Sequence, residues 1–171
     1  VPADARYSFF ENVGKETSLT IKGIEWDLEK LLGSAEQAEK FYGGTLVLAR
    51  LCPLDCHRFY FPFSGCAEAT RLIKGPLFSV NPIATKERPW IFWTNKRTIT
   101  LVQMPKGHFY AMVEIGATNC GSIHQTFAPG PVEKGQEKGY FKLGGSSIAL
   151  LFEPDTFHLE EDLKGTNGLE I

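Results

Sequence analysis

Short apolar or β-branched runs, separated by turns rich in glycine and proline, dominate the pattern along the chain. Four runs have the length of a strand, at positions 46–51, 98–103, 109–115 and 147–152. The runs are bounded by predicted turns that contain glycine or proline, such as Gly43-Gly44, Pro105-Lys-Gly107 and Gly144-Gly145. The pattern predicts a mainly β fold of the α+β class, an antiparallel β-sandwich or barrel-like hybrid with a small helical insertion.

The helical insertion is predicted near the start of the chain. Ser34 followed by Gln37 forms a capping box for a helix over 35–42, and Gly43 offers a left-handed stop. A shorter helix is expected over 26–32, where Gly33 would end it. These two helices are the insertion that interrupts the strands.

Composition limits the classes of protein that the chain can represent. With 171 residues, 43% hydrophobic and 22% charged, the chain can bury an ordinary core and is expected to form one domain over 1–171. A net charge of -2 without long blocks of like charge argues against nucleic-acid binding. No apolar run reaches the roughly 20 residues of a spanning helix. Because the chain begins at Val1 and not at Met, we expect an upstream segment.

The four cysteines allow three interpretations: buried thiols, a metal site or disulfides. Cys52, Cys56, His57 and Cys66 could supply four metal ligands. Cys-x3-Cys-His, however, lacks the paired Cys-x2-Cys knuckles of a structural zinc site. Because cysteine is among the most buried residue types, the favoured expectation is free, buried thiols and no metal.

Six blocks, spread over about the whole chain, resemble the phosphatidylserine decarboxylase family in the order in which that family carries them. Gly-Gly-Ser-Ser alone would be an ordinary turn, but together the blocks are specific. They are Val1-Pro-Ala-Asp4, Leu54-Asp-Cys-His-Arg-Phe59, Gly75-Pro-Leu-Phe-Ser-Val-Asn-Pro82, Asn95-Lys-Arg97, Val113-Glu-Ile-Gly-Ala-Thr-Asn-Cys-Gly-Ser-Ile123 and Lys134-Gly-Gln-Glu-Lys-Gly-Tyr-Phe-Lys-Leu-Gly-Gly-Ser-Ser-Ile148. In addition, 132–143 is similar to the glycine-punctuated hairpins of lipoyl-carrier-like folds.

The resemblance implies a pyruvoyl-dependent decarboxylase that is made as a proenzyme. Removing the carboxylate of an amino acid leaves electrons that no ordinary side chain can absorb, so an electrophilic ketone is required as a sink. In this family a Gly-Ser bond breaks itself and the serine becomes a covalent pyruvoyl group. That bond corresponds to Gly145–Ser146, and the unbranched Gly145 would leave the serine hydroxyl an open approach. The unbroken chain fits an uncleaved proenzyme.

The resemblance also assigns three residues to acid–base chemistry. Asp4 matches the family's aspartate, and His57 matches the first histidine, which is implicated in decarboxylation. Tyr60 stands where the family pattern His-Arg-x-His-x-Pro carries a second histidine, the base of self-cleavage. An unperturbed phenol titrates near ~10 and an imidazole near ~6.5, so this exchange puts cleavage by the usual route in doubt.

Substrate contacts are expected from the loop that contains Phe78, Ser79 and Asn81. Its polar side chains could bond a phosphate or carboxylate, although a turn that packs Phe78 into the core is an equal alternative. The aromatic run 90–93 fits either an interface with lipid or core packing. By analogy, a segment outside this sequence would attach the protein to the cytoplasmic face of a membrane, and a homodimer is compatible with the family.

Three functions remain open at this point. The first is conversion of phosphatidylserine to phosphatidylethanolamine. The second is decarboxylation of a free amino acid, which relatives of the family carry out. The third is a non-catalytic homologue whose maturation Tyr60 has disabled.

Overall fold

The computed structural model describes residues 1–14, 26–118, 121–142, 146–160, 163 and 170. Within these ranges the chain forms eleven strands and four short helices. In chain order they are β1 (Arg6–Val13), α1 (Leu28–Leu32), α2 (Ala35–Glu39), β2 (Gly44–Leu51), β3 (Arg58–Tyr60), β4 (Gly65–Ala67), β5 (Arg71–Ile73), α3 (Pro82–Glu87), α4 (Ile91–Thr94), β6 (Arg97–Gln103), β7 (Phe109–Ile115), β8 (Ile123–Gln125), β9 (Gly130–Val132), β10 (Glu137–Phe141) and β11 (Ser146–Phe152).

Two antiparallel sheets organise these strands. The larger has eight strands in the order β1-β2-β11-β7-β6-β4-β9, with β5 also paired to β6, and the smaller has the order β3-β10-β8. The larger sheet stays open and does not close into a barrel. The interior strand β11 pairs with β2 on one side and β7 on the other. The antiparallel, mainly β prediction is confirmed.

Both faces of the larger sheet are buried, which explains why β11 reads as an unbroken apolar run. Side chains alternate between the faces of a strand. Ala149 and Leu151 therefore join one core with helices α1, α2 and α4. Ile148 and Leu150 join a second core, which the smaller sheet covers. The molecule thus has three layers: helices, the larger sheet and the smaller sheet.

The predicted elements are confirmed in their main positions. The four predicted strands lie within β2, β6, β7 and β11, and the two predicted helices are α1 and α2. Ser34 caps α2 by accepting a hydrogen bond from the Gln37 amide at 3.2 Å. Gly33 and Gly43 adopt the left-handed conformation, with φ values of 64° and 78°.

Two expectations about local structure are wrong. The segment 132–143 is no hairpin, because β9 pairs with β4 while β10 pairs with β3 and β8 in the other sheet. The thiols of Cys52, Cys56 and Cys66 are free, but Cys56 and Cys66 are exposed and Cys52 is only partly buried. Cys66 points outward because alternation along β4 buries its neighbour Ala67 instead.

The aromatic run 90–93 packs into the core as helix α4. Ile91 and Phe92 are buried in the helical layer. Trp26 stacks on Phe92 with ring centroids 5.3 Å apart and contacts Trp93 at 5.8 Å. Packing therefore explains most of this run, and Trp90 alone is more than a third exposed.

Candidate active site

Ser146 is the first residue of β11 and is completely buried. It pairs with Leu51 of β2, and alternation with Ile148 turns its side chain toward the core beneath the smaller sheet. Its hydroxyl has no hydrogen-bond partner among the described residues. Leaving a buried hydroxyl unbonded costs about 1–3 kcal/mol, and such groups call for a functional explanation. The predicted partner across the bond, Gly145, lies outside the described residues.

The N-terminal segment is held against the smaller sheet. Ala3 forms a β-bridge with Phe59, and the Tyr60 amide donates to the Pro2 carbonyl at 2.8 Å. The Tyr7 hydroxyl donates to the Ala3 carbonyl at 2.6 Å and accepts from the Ala3 amide at 3.2 Å. Burial raises the pKa of Tyr7 to about 12, so this hydroxyl keeps its proton. These bonds fix the position of the next residue, Asp4.

Asp4 lies beside the loop that carries His57. Its carboxylate accepts from the Cys56 amide at 3.2 Å. The His57 Nδ1 lies 2.7 Å from the Asp55 carbonyl, which can only accept, so Nδ1 carries the hydrogen in this contact. In a neutral ring the Nε2 atom then carries the lone pair, which a general base needs in order to accept a proton.

His57 also lies next to the strand that leads into the cleavage segment. Its carbonyl accepts from the Phe141 amide at 2.9 Å, and Phe141 ends β10 shortly before Ser146. Tyr60 lies further along β3, where it pairs with Glu137 at the start of β10. The structure therefore brings Asp4 and His57 together at the end of β10 that precedes the cleavage segment, whereas Tyr60 lies at the opposite end of β3.

The predicted substrate loop is tied to the end of β7 by one buried amide. The Asn95 Nδ2 donates to the carbonyls of Phe78 and Gly116, each at 2.8 Å, and its Oδ1 accepts from the Phe78 amide at 3.0 Å. Gly116 follows Ile115, which pairs with Ser147. Asn95 thus holds the loop next to the start of β11. Sequence reasoning placed Asn95 in a family block without giving it a role.

Two of the three predicted substrate residues also have structural roles. The Asn81 Oδ1 accepts from the Ile83 amide at 3.0 Å and caps α3, and the Ser79 Oγ accepts from the Asn81 amide at 3.2 Å. Phe78 is 43% exposed and meets Trp90 edge to face, with centroids 5.3 Å apart. Phe78 is therefore not packed into the core, and its ring remains accessible at the surface.

A buried ion pair joins the two sheets on the face that Ser146 shares. Glu114 of β7 and Lys138 of β10 are both fully buried, with Nζ 2.8 Å from Oε1. Lys138 also donates to Gln125 at 2.8 Å, while Glu114 Oε2 accepts from Thr98 at 2.6 Å and from Gln125 at 3.1 Å. Glu114 pairs with Ile148, two residues along β11 from Ser146. Sequence analysis missed this pair because single charges in strands look like ordinary polar positions.

Aromatic rings surround the ammonium group of Lys138. Its Nζ lies 5.2 Å from the ring centroid of Phe127, 5.7 Å from that of Phe59 and 5.9 Å from that of Phe61. Burial lowers the pKa of Lys138, and Glu114 opposes that shift. A charge in such surroundings depends on its partner, so the pair fixes how the smaller sheet sits on the larger one.

Two further observations concern metals and membranes. Among the described residues, no group of three or more histidine, cysteine, aspartate or glutamate side chains is arranged to hold a metal ion. No helix in the described ranges is long and apolar enough to cross a bilayer.

Comparison with known proteins assigns the family. A sequence model described as phosphatidylserine decarboxylase matches residues 1–168. This chain belongs to the phosphatidylserine decarboxylase family. Among curated relatives, the phosphatidylserine decarboxylase proenzyme of Chlamydia trachomatis serovar D is 45% identical over 99% of this chain and 57% of its own length. The proenzyme of Ruminiclostridium cellulolyticum is 42% identical over 95% of this chain and 54% of its own length.

The phosphatidylserine decarboxylase resemblance inferred from the sequence blocks is therefore confirmed. The chain spans a little over half the length of these curated relatives. The individual roles of Ser146, Asp4, His57 and Tyr60 stay predictions.

The buried ion pair leads to a prediction about stability. Lys138→Met leaves the Glu114 carboxylate buried without its counter-charge, which should cost about 3–5 kcal/mol in the free energy of unfolding. Adding Glu114→Gln to that variant should restore part of the loss, because the uncompensated charge is removed. Urea unfolding of the two single variants and the double variant measures the coupling.

The matched control is the Arg58–Glu137 pair, which joins β3 to β10 within the smaller sheet at 2.7 Å and is open to solvent. Arg58→Gln should cost less than about 1 kcal/mol. Strictly additive effects of Lys138→Met and Glu114→Gln would contradict the coupling.

Proposed function

We propose that this chain is the catalytic part of a pyruvoyl-dependent phosphatidylserine decarboxylase, which forms phosphatidylethanolamine and is made as a proenzyme that cleaves itself between Gly145 and Ser146. The observation that carries the proposal is the buried hydroxyl of Ser146 at the first position of β11, to which no described residue makes a hydrogen bond. A hydroxyl whose lone pairs are not engaged elsewhere is available to attack the carbonyl that precedes it.

The cleavage that we propose uses atoms of the chain and one water molecule. The Ser146 Oγ attacks the Gly145 carbonyl carbon, and the peptide nitrogen leaves as the ester forms. Loss of the serine α-proton then expels the Gly145 carboxylate and leaves dehydroalanine at residue 146. Hydrolysis of that group releases ammonia and leaves the ketone, so the products are 1–145 and a fragment that begins at residue 146.

The pyruvoyl group supplies one thing, an electron sink next to the substrate's α carbon. The residues present fit such a group, because Ser146 is fully buried and pairs with Leu51, the residue from which the chain enters the loop to His57. His57, held through Nδ1, would move a proton at Nε2 near the substrate. Asp4 would support that loop through the Cys56 amide. Phe78, Ser79 and Asn81 would border the substrate.

Exposed apolar side chains surround the proposed substrate loop. Phospholipid substrates are drawn from a membrane, and Leu77, Phe78, Ile83 and Trp90 leave apolar surface exposed around the substrate loop. We propose that the protein attaches peripherally to the cytoplasmic face of a membrane. A segment corresponding to the region of the relatives that this chain does not span would assist the attachment. We also propose that the protein assembles as a homodimer.

In this account the phenol at position 60 slows self-cleavage, and the variant Tyr60→His tests that effect. An imidazole accepts a proton at neutral pH far better than a phenol, so Tyr60→His should speed appearance of the two fragments about 10²-fold or more. Intact-mass spectrometry over time gives the rates. Tyr60→Phe reports whether the phenol takes part at all.

Ser146→Ala in the Tyr60→His background is the matched control and should give one uncleaved species. If the Ser146→Ala chain still splits there, the assignment of the cofactor precursor is wrong. If the wild type and Tyr60→His both remain uncleaved and release no carbon dioxide, that result would support the non-catalytic alternative.

The substrate class is tested on matured protein. We expect release of carbon dioxide from dispersed phosphatidylserine and none from free serine or tryptophan. Ser146→Ala protein serves as the blank. Carbon dioxide from a free amino acid alone would contradict the lipid substrate and favour the second function.

A further inference from the structure

Two arginines face each other directly across strands β1 and β2. Arg6 pairs with Arg50 in the strand register. Like charges at directly opposite positions destabilise a sheet. Both guanidinium groups nevertheless converge, each with an Nη1 within hydrogen-bonding distance of the Cys52 sulfur, at 2.7 and 3.1 Å. An arrangement that costs stability in this way calls for an anion to offset it.

The arginines line a cavity of about 470 Å³. This is the size of an ordinary small-molecule site. Lys86 of α3 adds a third cation, and Phe10, Leu48 and Phe92 supply an apolar wall. The cavity therefore combines positive charge with apolar surface, which suits an amphipathic anion.

A carboxylate already occupies the arginine fork in this structure. The Glu170 carboxylate meets Arg50 through two parallel contacts, Nε to Oε1 at 2.5 Å and Nη2 to Oε2 at 2.9 Å. This bidentate geometry is the one that arginine also uses for phosphate. Against three cations, the one carboxylate leaves the lining with an excess of two positive charges. The fork is thus shaped for a two-oxygen anion, and the cavity remains cationic with Glu170 in it.

The cavity lies on the helical face of the larger sheet, opposite the face toward which the Ser146 side chain points, at the end of the sheet where β11 begins. Asn81 of the proposed substrate loop caps α3, whose residues Pro82 and Lys86 line the cavity. Arg50 pairs across β2 and β11 with Ser147. Ile83, which follows Pro82 in α3, is 77% exposed.

We infer that this cavity binds the phosphodiester of an anionic phospholipid headgroup. The guanidinium groups of Arg50 and Arg6 would donate hydrogen bonds to its oxygens, and Lys86 would add a third positive charge. The glycerol and the first acyl carbons lie along the apolar wall, and Glu170 is displaced from Arg50. The inference rests on the proposed function, because it assigns the phosphate subsite of that substrate to named residues.

Binding of short-chain phosphatidylglycerol, an anionic phospholipid with no carboxylate to lose, tests the inference without decarboxylation. Calorimetry with dihexanoyl phosphatidylglycerol below its micelle concentration should show saturable binding to the wild-type chain. Arg50→Gln should weaken it about tenfold or more, because a bidentate charged contact is lost. Arg50→Lys, which keeps the charge without the fork, should recover part of the affinity. Glu170→Gln should tighten binding.

Lys106→Gln is the matched control, since it removes one exposed charge from the turn between β6 and β7 and should leave binding unchanged. Glycerol 3-phosphate and inorganic phosphate separate a lipid site from a free-phosphate site. Equal affinity for inorganic phosphate would overturn the lipid class, and equal binding by Arg50→Gln would overturn the subsite. Unfolding midpoints measured alongside identify any variant that fails to fold.

Failure of the two proposals can be told apart. Arginine-dependent binding of phosphatidylglycerol, together with no carbon dioxide from phosphatidylserine, would count against the proposed function alone. Carbon dioxide released at the same KM by wild type and Arg50→Gln would count against the cavity alone.

Discussion

The burial of Ser146 at the start of the interior strand β11 is the constraint on which the rest of the structure depends. The residue pairs with Leu51 of β2, and its side chain faces the core between the two sheets. Water is kept from the hydroxyl, and no described side chain bonds it. This buried hydroxyl lies at the point where the chain passes from the smaller sheet to the larger, so the break that we propose falls between two separately paired strands, β10 and β11.

The smaller sheet brings the remaining chemistry to that point. The bridge from Ala3 to Phe59 and the bond from Tyr7 to Ala3 hold Asp4 beside the His57 loop. The buried Glu114–Lys138 pair then fixes this sheet on the larger one. Well-packed apolar side chains could be as stable, but a charge that needs one partner in one position favours a single arrangement of the layers.

Sequence alone predicted much of the fold, because β2, β6, β7 and β11 are apolar runs between clear turns, and Ser34, Gly33 and Gly43 are strong helix signals. It could not give the pairing of β9 and β10, since partners in a sheet depend on contacts distant in sequence. For the site, the family blocks pointed to Ser146, Asp4 and His57. The Arg6–Arg50 pair and the Glu114–Lys138 pair lay outside prediction, because each joins residues of different strands.

The central claim is that the hydroxyl of Ser146 is converted into a ketone. The most direct measurement is the mass of the fragment that begins at residue 146, before and after treatment with hydroxylamine, which condenses with ketones. The account predicts a fragment without its α-amino nitrogen that gains one oxime. A fragment that keeps an ordinary serine amine and does not react, however complete the cleavage, would contradict it.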